Sequence, residues 1–214
     1  MNWDRVFTIQ NQKEFNKICL DTFHFQMEHV RIYKKYVQYL NIKINTIDHY
    51  TKIPFLPIEL FKTQEIIADD LQPEIIFTSS GTTGMTTSKH LVADKKVYEQ
   101  SFRTAFEQFY GKMENIAILA LLPSYLERTG SSLIYMINDL MQHSQQPESN
   151  YFLYNHEELY QTLLQLKTKG TKTLLFGVTF ALLDFIEKYE LSFPELIIME
   201  TGGMKGKRKE MVRE

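Results

Sequence analysis

Ile75-Ile76-Phe77-Thr78-Ser79-Ser80-Gly81-Thr82-Thr83-Gly84-Met85-Thr86-Thr87-Ser88-Lys89-His90 runs from a short apolar stretch straight into hydroxyls and glycines. The β-branched and aromatic residues at its start read as a strand. The loop that follows has no side-chain bulk with which to build a core. It offers backbone N–H groups, hydroxyl donors and, at Lys89, a cation, the inventory that a polyphosphate needs. Gly81 and Gly84 let main-chain amides approach an anion closely. The competing reading is an ordinary surface turn, because Ser, Thr and Gly also dominate turns.

Outward from this stretch, apolar runs alternate with helical periodicity. Residues 75–79, 116–122, 151–154, 173–178 and 196–200 read as strands, and 94–110, 131–143, 156–169 and 179–190 as helices. Continuously apolar strands separated by helices predict an α/β fold, with a mostly parallel sheet flanked by helices. Upstream, Phe15, Ile18, Cys19, Phe23, Phe25, Val30, Ile32, Tyr33, Val37 and Leu40 recur mostly at helical spacing. With no glycine or proline between residues 11 and 40, one or two amphipathic helices are expected there. Pro54, Pro57 and Pro73 make the segment 41–74 extended and irregular. The expected division is a helical N-terminal segment, 1–50, and an α/β domain, 51–214, that carries the loop.

In an open parallel sheet the ligand crevice lies outside the carboxyl ends of the strands. Three segments are expected there: Ser79 to Lys89, Pro123 to Ser132 and Thr201 to Lys205. Ser131 and Ser132 fit either a helix cap or an anion site at a helix N-terminus. Arg128 beside Glu127 reads as an anion contact or as a solvated pair in a turn.

Several chemistries are absent from the sequence. Two residues separate Gly81 from Gly84 and Met85 follows, so this is not a Walker loop. There is no Gly-x-Gly-x-x-Gly and no Gly-x-Ser-x-Gly. The six histidines show no zinc spacing. A net charge of −2 with mixed signs argues against nucleic-acid or membrane-surface partners. The longest apolar run, Ile116 to Leu122, falls far short of the roughly 20 residues that cross a bilayer. The N-terminus lacks the charged region and apolar core of a signal peptide. A single cysteine, Cys19, fits a reducing, cytoplasmic setting, and its place on an apolar helical face reads as a buried inert thiol. The 15 Phe and 12 Tyr suit either a large core or an apolar acyl pocket.

Ser80-Gly81-Thr82-Thr83-Gly84 resembles the signature loop of the adenylate-forming superfamily, which includes acyl-coenzyme A synthetases. That loop usually ends Gly-x-Pro-Lys; here the proline is missing and the lysine, Lys89, comes two positions later. Together with Ile53-Pro54-Phe55-Leu56-Pro57-Ile58-Glu59-Leu60-Phe61-Lys62, Ser79 and Ser88, a narrower resemblance appears. It is to the acyl-protein synthetase branch, related to the synthetase subunit of the bacterial luminescence fatty-acid reductase and to phenylacetate–coenzyme A ligase.

The resemblance implies that Ser79, Ser80, Gly81, Thr82, Thr83, Gly84 and Ser88 hold the phosphates of ATP. It gives Thr83 and Lys89 catalytic roles and places Gly202 and Gly203 beside adenine, although a plain turn would read the same way. The implied reaction converts a carboxylic, fatty acid to an acyl-adenylate and passes the acyl group to a thiol. That thiol belongs to a protein cysteine or to coenzyme A, with an acyl-reductase or carrier as partner. Mg2+ is implied as well, but the Tyr-Gly-x-Thr-Glu motif that helps to hold it does not occur in this chain. The ribose-binding aspartate motif and the C-terminal catalytic lysine are also missing. Residues 51–214 are therefore expected to be a C-terminally truncated ATP-binding domain with little activity of its own. Two rival functions stay open, a non-catalytic nucleotide-binding or scaffolding module and a phosphotransferase with a divergent glycine-rich loop.

Overall fold

The structure, a computed structural model, describes residues 3–79, 87–122, 130–202 and 204. The chain forms two compact units, Met1–Thr104 and Ala105–Glu214.

The first unit begins with a 3₁₀ turn, Trp3–Thr8, and two helices, α1 (Gln12–His29) and α2 (Arg31–Tyr39). Helix α1 starts on a reciprocal cap. The Asn11 side chain accepts the Glu14 N–H at 3.0 Å, and the Glu14 carboxylate accepts the Gln10 N–H at 2.9 Å. The break between the helices has no glycine or proline to announce it. Val30 takes an extended conformation (φ −113°, ψ 95°) that buries its side chain with Phe23, Met27, Tyr33, Val37, Ile47 and Ala68. The carbonyl of His29, the last residue of α1, accepts the Asp69 N–H at 2.7 Å, so the interruption leaves that group satisfied. Tertiary packing, not local propensity, sets this boundary.

The proline-bearing segment is held by the same helices. Tyr33 Oη donates to the Pro54 carbonyl at 2.7 Å, and Asn16 Oδ1 accepts the Tyr50 N–H at 2.8 Å. A short helix, α3 (Leu60–Thr63), follows. Strands β1 (Ile75–Thr78) and β2 (Lys89–Val92) then pair antiparallel, in the register Ile75–Val92, Ile76–Leu91, Phe77–His90 and Thr78–Lys89. This corrects one expectation. Ile75 to Thr78 form a strand as read, but in a separate two-stranded sheet. The cause is β2, whose Lys-His-Leu-Val sequence has too short an apolar run to read as a strand; once formed, it takes the hydrogen-bonding edge of β1. Helix α4 (Lys95–Tyr110) carries residues of both units. Asp94 Oδ1 accepts the Lys96 N–H at 2.9 Å at its start.

The second unit is the α/β layer that the sequence predicts. Strands β3 (Ala117–Leu121), β4 (Asn150–Phe152), β5 (Thr173–Val178) and β6 (Ile197–Thr201) form a parallel sheet in the order β4-β3-β5-β6. Between them run α5 (Ser132–His143), α6 (His156–Lys169) and α7 (Thr179–Ile186). Central strands β3 and β5 are buried at every position, so both of their faces are covered. Terminal β6 instead alternates half-buried and exposed residues. Leu159, Leu163 and Leu166 of α6 are fully buried at helical spacing. At about 1.5–3 kcal/mol for each fully buried large apolar side chain, this packing outweighs the weak local preferences of such short strands.

Gly177 of β5 meets a steric demand. A Cβ there would come within 2.5 Å of Leu182 Cγ, so α7 folds back onto the strand only because the side chain is missing. Among the described residues, no helix is long and apolar enough to cross a membrane.

Candidate functional site

The hydroxyl- and glycine-rich loop joins β1 to β2. Its ends are fixed by two hydrogen bonds between one pair of residues. The Ser79 N–H donates to the Ser88 carbonyl at 3.0 Å, and the Ser88 N–H donates to Ser79 Oγ at 2.9 Å. A side-chain oxygen thus extends the hairpin by one pair past Thr78–Lys89. Lys89 stands on β2 at the base of the loop, exposed and opposite Thr78. The antiparallel ladder therefore brings Ser79, Ser88 and Lys89 together. Ser80, Gly81, Thr82, Thr83 and Gly84 lie outside the described residues.

The face of the hairpin opposite Lys89 is aromatic. Paired residues in an antiparallel ladder point to the same side, so Phe77 and His90 share a face. Phe77 packs on Tyr98 with ring centroids 5.0 Å apart, and His90 stacks on Phe61 at 6.1 Å with an interplanar angle of 5°. Phe61 belongs to the wall of an apolar pocket of about 660 Å3 within the first unit. The pocket runs between the N-terminal 3₁₀ turn, one face of α1, the proline-bearing segment and the start of α4. It accounts for part of the aromatic richness of the sequence.

Cys19, a free thiol, lies on that wall, and burial raises its pKa. Tyr33 also lines the pocket; burial, with Tyr36 nearby, pushes its pKa up to about 12. The phenol stays protonated and donates to Pro54, while the thiol is a poorer nucleophile than a free one.

The second unit holds the remaining positions. The chain leaves β3 towards β4 on one side and β5 towards β6 on the other, so the crevice of this sheet lies between the carboxyl ends of β3 and β5. Of the three segments expected at such an edge, two follow β3 and β6, while the hydroxyl loop belongs to the hairpin of the first unit. Residues 123–129 and Gly203, with them Arg128 and Glu127, lie outside the described residues. Ser131 acts as a cap, its Oγ accepting the Ile134 N–H at 3.4 Å at the start of α5. Gly202, just past β6, has φ +80°, a conformation that L side chains rarely adopt. One pair at this edge escapes a motif search. Thr179, which opens α7 directly after β5, donates through Oγ1 to Glu200 Oε1 of β6 at 2.6 Å. A threonine with no loop residue between strand and helix is the signal that could have marked it.

Among the described residues, no three His, Cys, Asp or Glu side chains converge in a way that could hold a metal ion. The described polar groups at the base of the hairpin are those of Ser79, Ser88 and Lys89, and the Ser79 and Ser88 N–H groups are each taken by an oxygen of the other residue.

The chain is an α/β protein whose hydroxyl-rich stretch is bounded by a paired Ser79 and Ser88 and whose first unit holds an apolar pocket. Compared with protein families, the chain matches "Acyl-protein synthetase, LuxE" over residues 6–214. It belongs to that family. No curated protein and no solved structure matches it.

Proposed function

We propose that this protein activates a carboxylic acid, a fatty acid, with ATP and passes the acyl group to a thiol. In the first step a carboxylate oxygen attacks the α-phosphorus, the bond to the bridging oxygen breaks, and pyrophosphate leaves. In the second step a thiolate, of a protein cysteine or of coenzyme A, attacks the acyl carbonyl and AMP departs. An acyl-reductase or carrier is the fitting recipient.

The observation that carries this reading is the loop closure by Ser79 and Ser88 beside Lys89, in a chain of the acyl-protein synthetase family. Charge builds up on the bridging oxygen and on pyrophosphate as the reaction proceeds. Donors already fixed in place stabilise that charge without reorganising, whereas water would have to reorient. Ser80, Thr82, Thr83 and the amides up to Gly84 are assigned to the β- and γ-phosphates, and Lys89, on β2 next to Ser88, supplies a positive charge. Gly202 and Gly203 are assigned to the adenine side. Mg2+, arriving with the nucleotide, would neutralise phosphate charge; no residue of this chain is assigned to it.

Product analysis tests the reading. ATP labelled at the α- and γ-positions is incubated with a fatty acid and hydroxylamine, which traps the activated acyl group. AMP and pyrophosphate, formed only when the acid is present, are expected. ADP and phosphate would instead identify a phosphotransferase.

A further inference from the structure

We infer that the apolar pocket of the first unit holds the hydrocarbon tail of the acid, a long unbranched alkyl chain, with its carboxylate directed to the hairpin below the hydroxyl loop. The inference rests on the reading of that loop as the ATP site and names where its second substrate lies.

Three observations carry it. First, the pocket has the size and character of a small-molecule site: about 660 Å3, walled mainly by aromatic and aliphatic side chains. The Tyr33 hydroxyl is engaged with the Pro54 carbonyl, and the Cys19 thiol is a weak donor. Thr22, Gln26, Tyr50 and Ser101 are the other polar residues of the wall, a minority among its aromatic and aliphatic side chains, and none of them carries a charge. Such a wall selects for apolar length.

Second, the pocket reaches into the helical layer and opens to solvent. Phe23 and Ile18, on its wall, are buried, while Val6, Phe15 and Phe55 are 38%, 39% and 78% exposed. Apolar side chains at the mouth and depth beneath α1 suit a narrow, flexible ligand better than the flat surface of a protein partner.

Third, one wall residue of the pocket touches the hairpin that carries the loop. That residue, Phe61, stacks on His90, and His90 is two residues from Ser88, which closes the loop. At about 3.3 Å per residue, that closure lies roughly 7 Å along the strand. A long acid with its tail among the aromatics is long enough to bring its carboxylate to the strand end at Ser88.

Cys19 supplies the test, because it is the chain's single cysteine and lines the pocket. The rate of its reaction with a small thiol reagent is measured in the full chain, without ATP, in the presence of saturated acids from hexanoate to tetradecanoate below their micelle-forming concentrations. The acids are expected to slow labelling, with affinity rising about fourfold per methylene until the pocket is full. Ile53→Trp, which fills the pocket, should remove the protection, and Ile53→Val should keep it. Thermal melting checks that both variants are folded.

Labelling that no acid slows, or protection independent of chain length, overturns the inference. So does protection that appears with rising protein concentration alone, because a second copy would then be the occupant. A parallel titration with ATP separates this proposal from the one beneath it. Acids that protect Cys19 in a chain that binds no ATP support the pocket and remove the loop reading. ATP binding with no protection by acids overturns the pocket alone.

Discussion

Ser79 and Ser88 hold each other twice: each backbone N–H donates to the other residue, one bond ending on a carbonyl and the other on the Ser79 hydroxyl, at 3.0 and 2.9 Å. The hydroxyl-rich stretch is therefore closed before any ligand arrives. Folding thus fixes the two residues that bound the stretch, at no further entropy cost to a ligand.

Replacing Ser79 with alanine removes the acceptor of the Ser88 N–H while leaving the strand pairs of the hairpin in place. An exposed bond of this kind contributes about 1 kcal/mol at most, so the melting temperature should fall by no more than about 2–4 °C. Nucleotide affinity should fall, by roughly tenfold, because the ends of the loop are no longer fixed. Equilibrium titration alongside thermal melting checks both halves.

Gly177→Ala should destabilise the second unit by about 1–3 kcal/mol, the usual cost of overpacking a filled core. The new Cβ meets Leu182 Cγ and Cδ2 at 2.5 and 2.4 Å. Leu182→Ala alone should also destabilise, by leaving a cavity. In the double variant the two costs should partly cancel. Strictly additive losses in denaturant titrations would show that the glycine is not there for Leu182.

Much of this architecture was legible. The runs at 116–122 and 173–178 are apolar at every position because β3 and β5 are covered on both faces, and a residue pattern that simple survives without tertiary information. The hairpin was not. Lys89 and His90 are exposed, so β2 shows only Leu91 and Val92 as apolar signal, and its pairing with β1 is a long-range fact. The Val30 break was equally hidden, because it is fixed by a core contact and by the Asp69 N–H from far along the chain. At the loop, the composition showed where glycines and hydroxyls concentrate, while the pairing of Ser79 with Ser88 needed coordinates. The pocket could not be told from core by counting Phe and Tyr, since both uses require the same residues.

In a form of the enzyme that shows acyl-hydroxamate formation, Gly81→Val and Thr83→Val should each cut it by on the order of 10² to 10³, the usual cost of one misplaced donor at a developing charge. Valine at position 81 obstructs close approach of the backbone to phosphate, and at 83 it deletes a hydroxyl at nearly constant size. Cys19→Ser should keep close to the wild-type rate with ATP and a fatty acid, because its thiol, with its raised pKa, lines the pocket wall and takes no part in the chemistry. A dead Cys19→Ser beside active loop variants would reverse the assignment.

His156 opens α6, edge-on to Phe185 with ring centroids 6.0 Å apart. Burial, with Lys188 nearby, lowers its pKa below the ordinary 6.5, against a smaller opposing effect of Asp184. The folded state thus binds this proton less readily than the unfolded chain does. Its contribution to stability is present above pH 6.5 and is lost as pH falls from there through the folded value. His156→Gln should flatten that part of the melting-temperature profile. A variant profile parallel to wild type across the same interval would assign the pH dependence elsewhere.

The most direct measurement of the loop's role compares ATP with AMP by calorimetric titration, in the wild-type chain and in Gly81→Val. If the loop holds the β- and γ-phosphates, wild type should bind ATP at least about tenfold more tightly than AMP, since hydrogen bonds to charged groups contribute about 1.5–3 kcal/mol each. The substitution should collapse that preference while leaving AMP binding nearly unchanged. Equal affinity for the two nucleotides in wild type, or a preference that persists in Gly81→Val, would contradict the assignment of the hydroxyl loop to the phosphates.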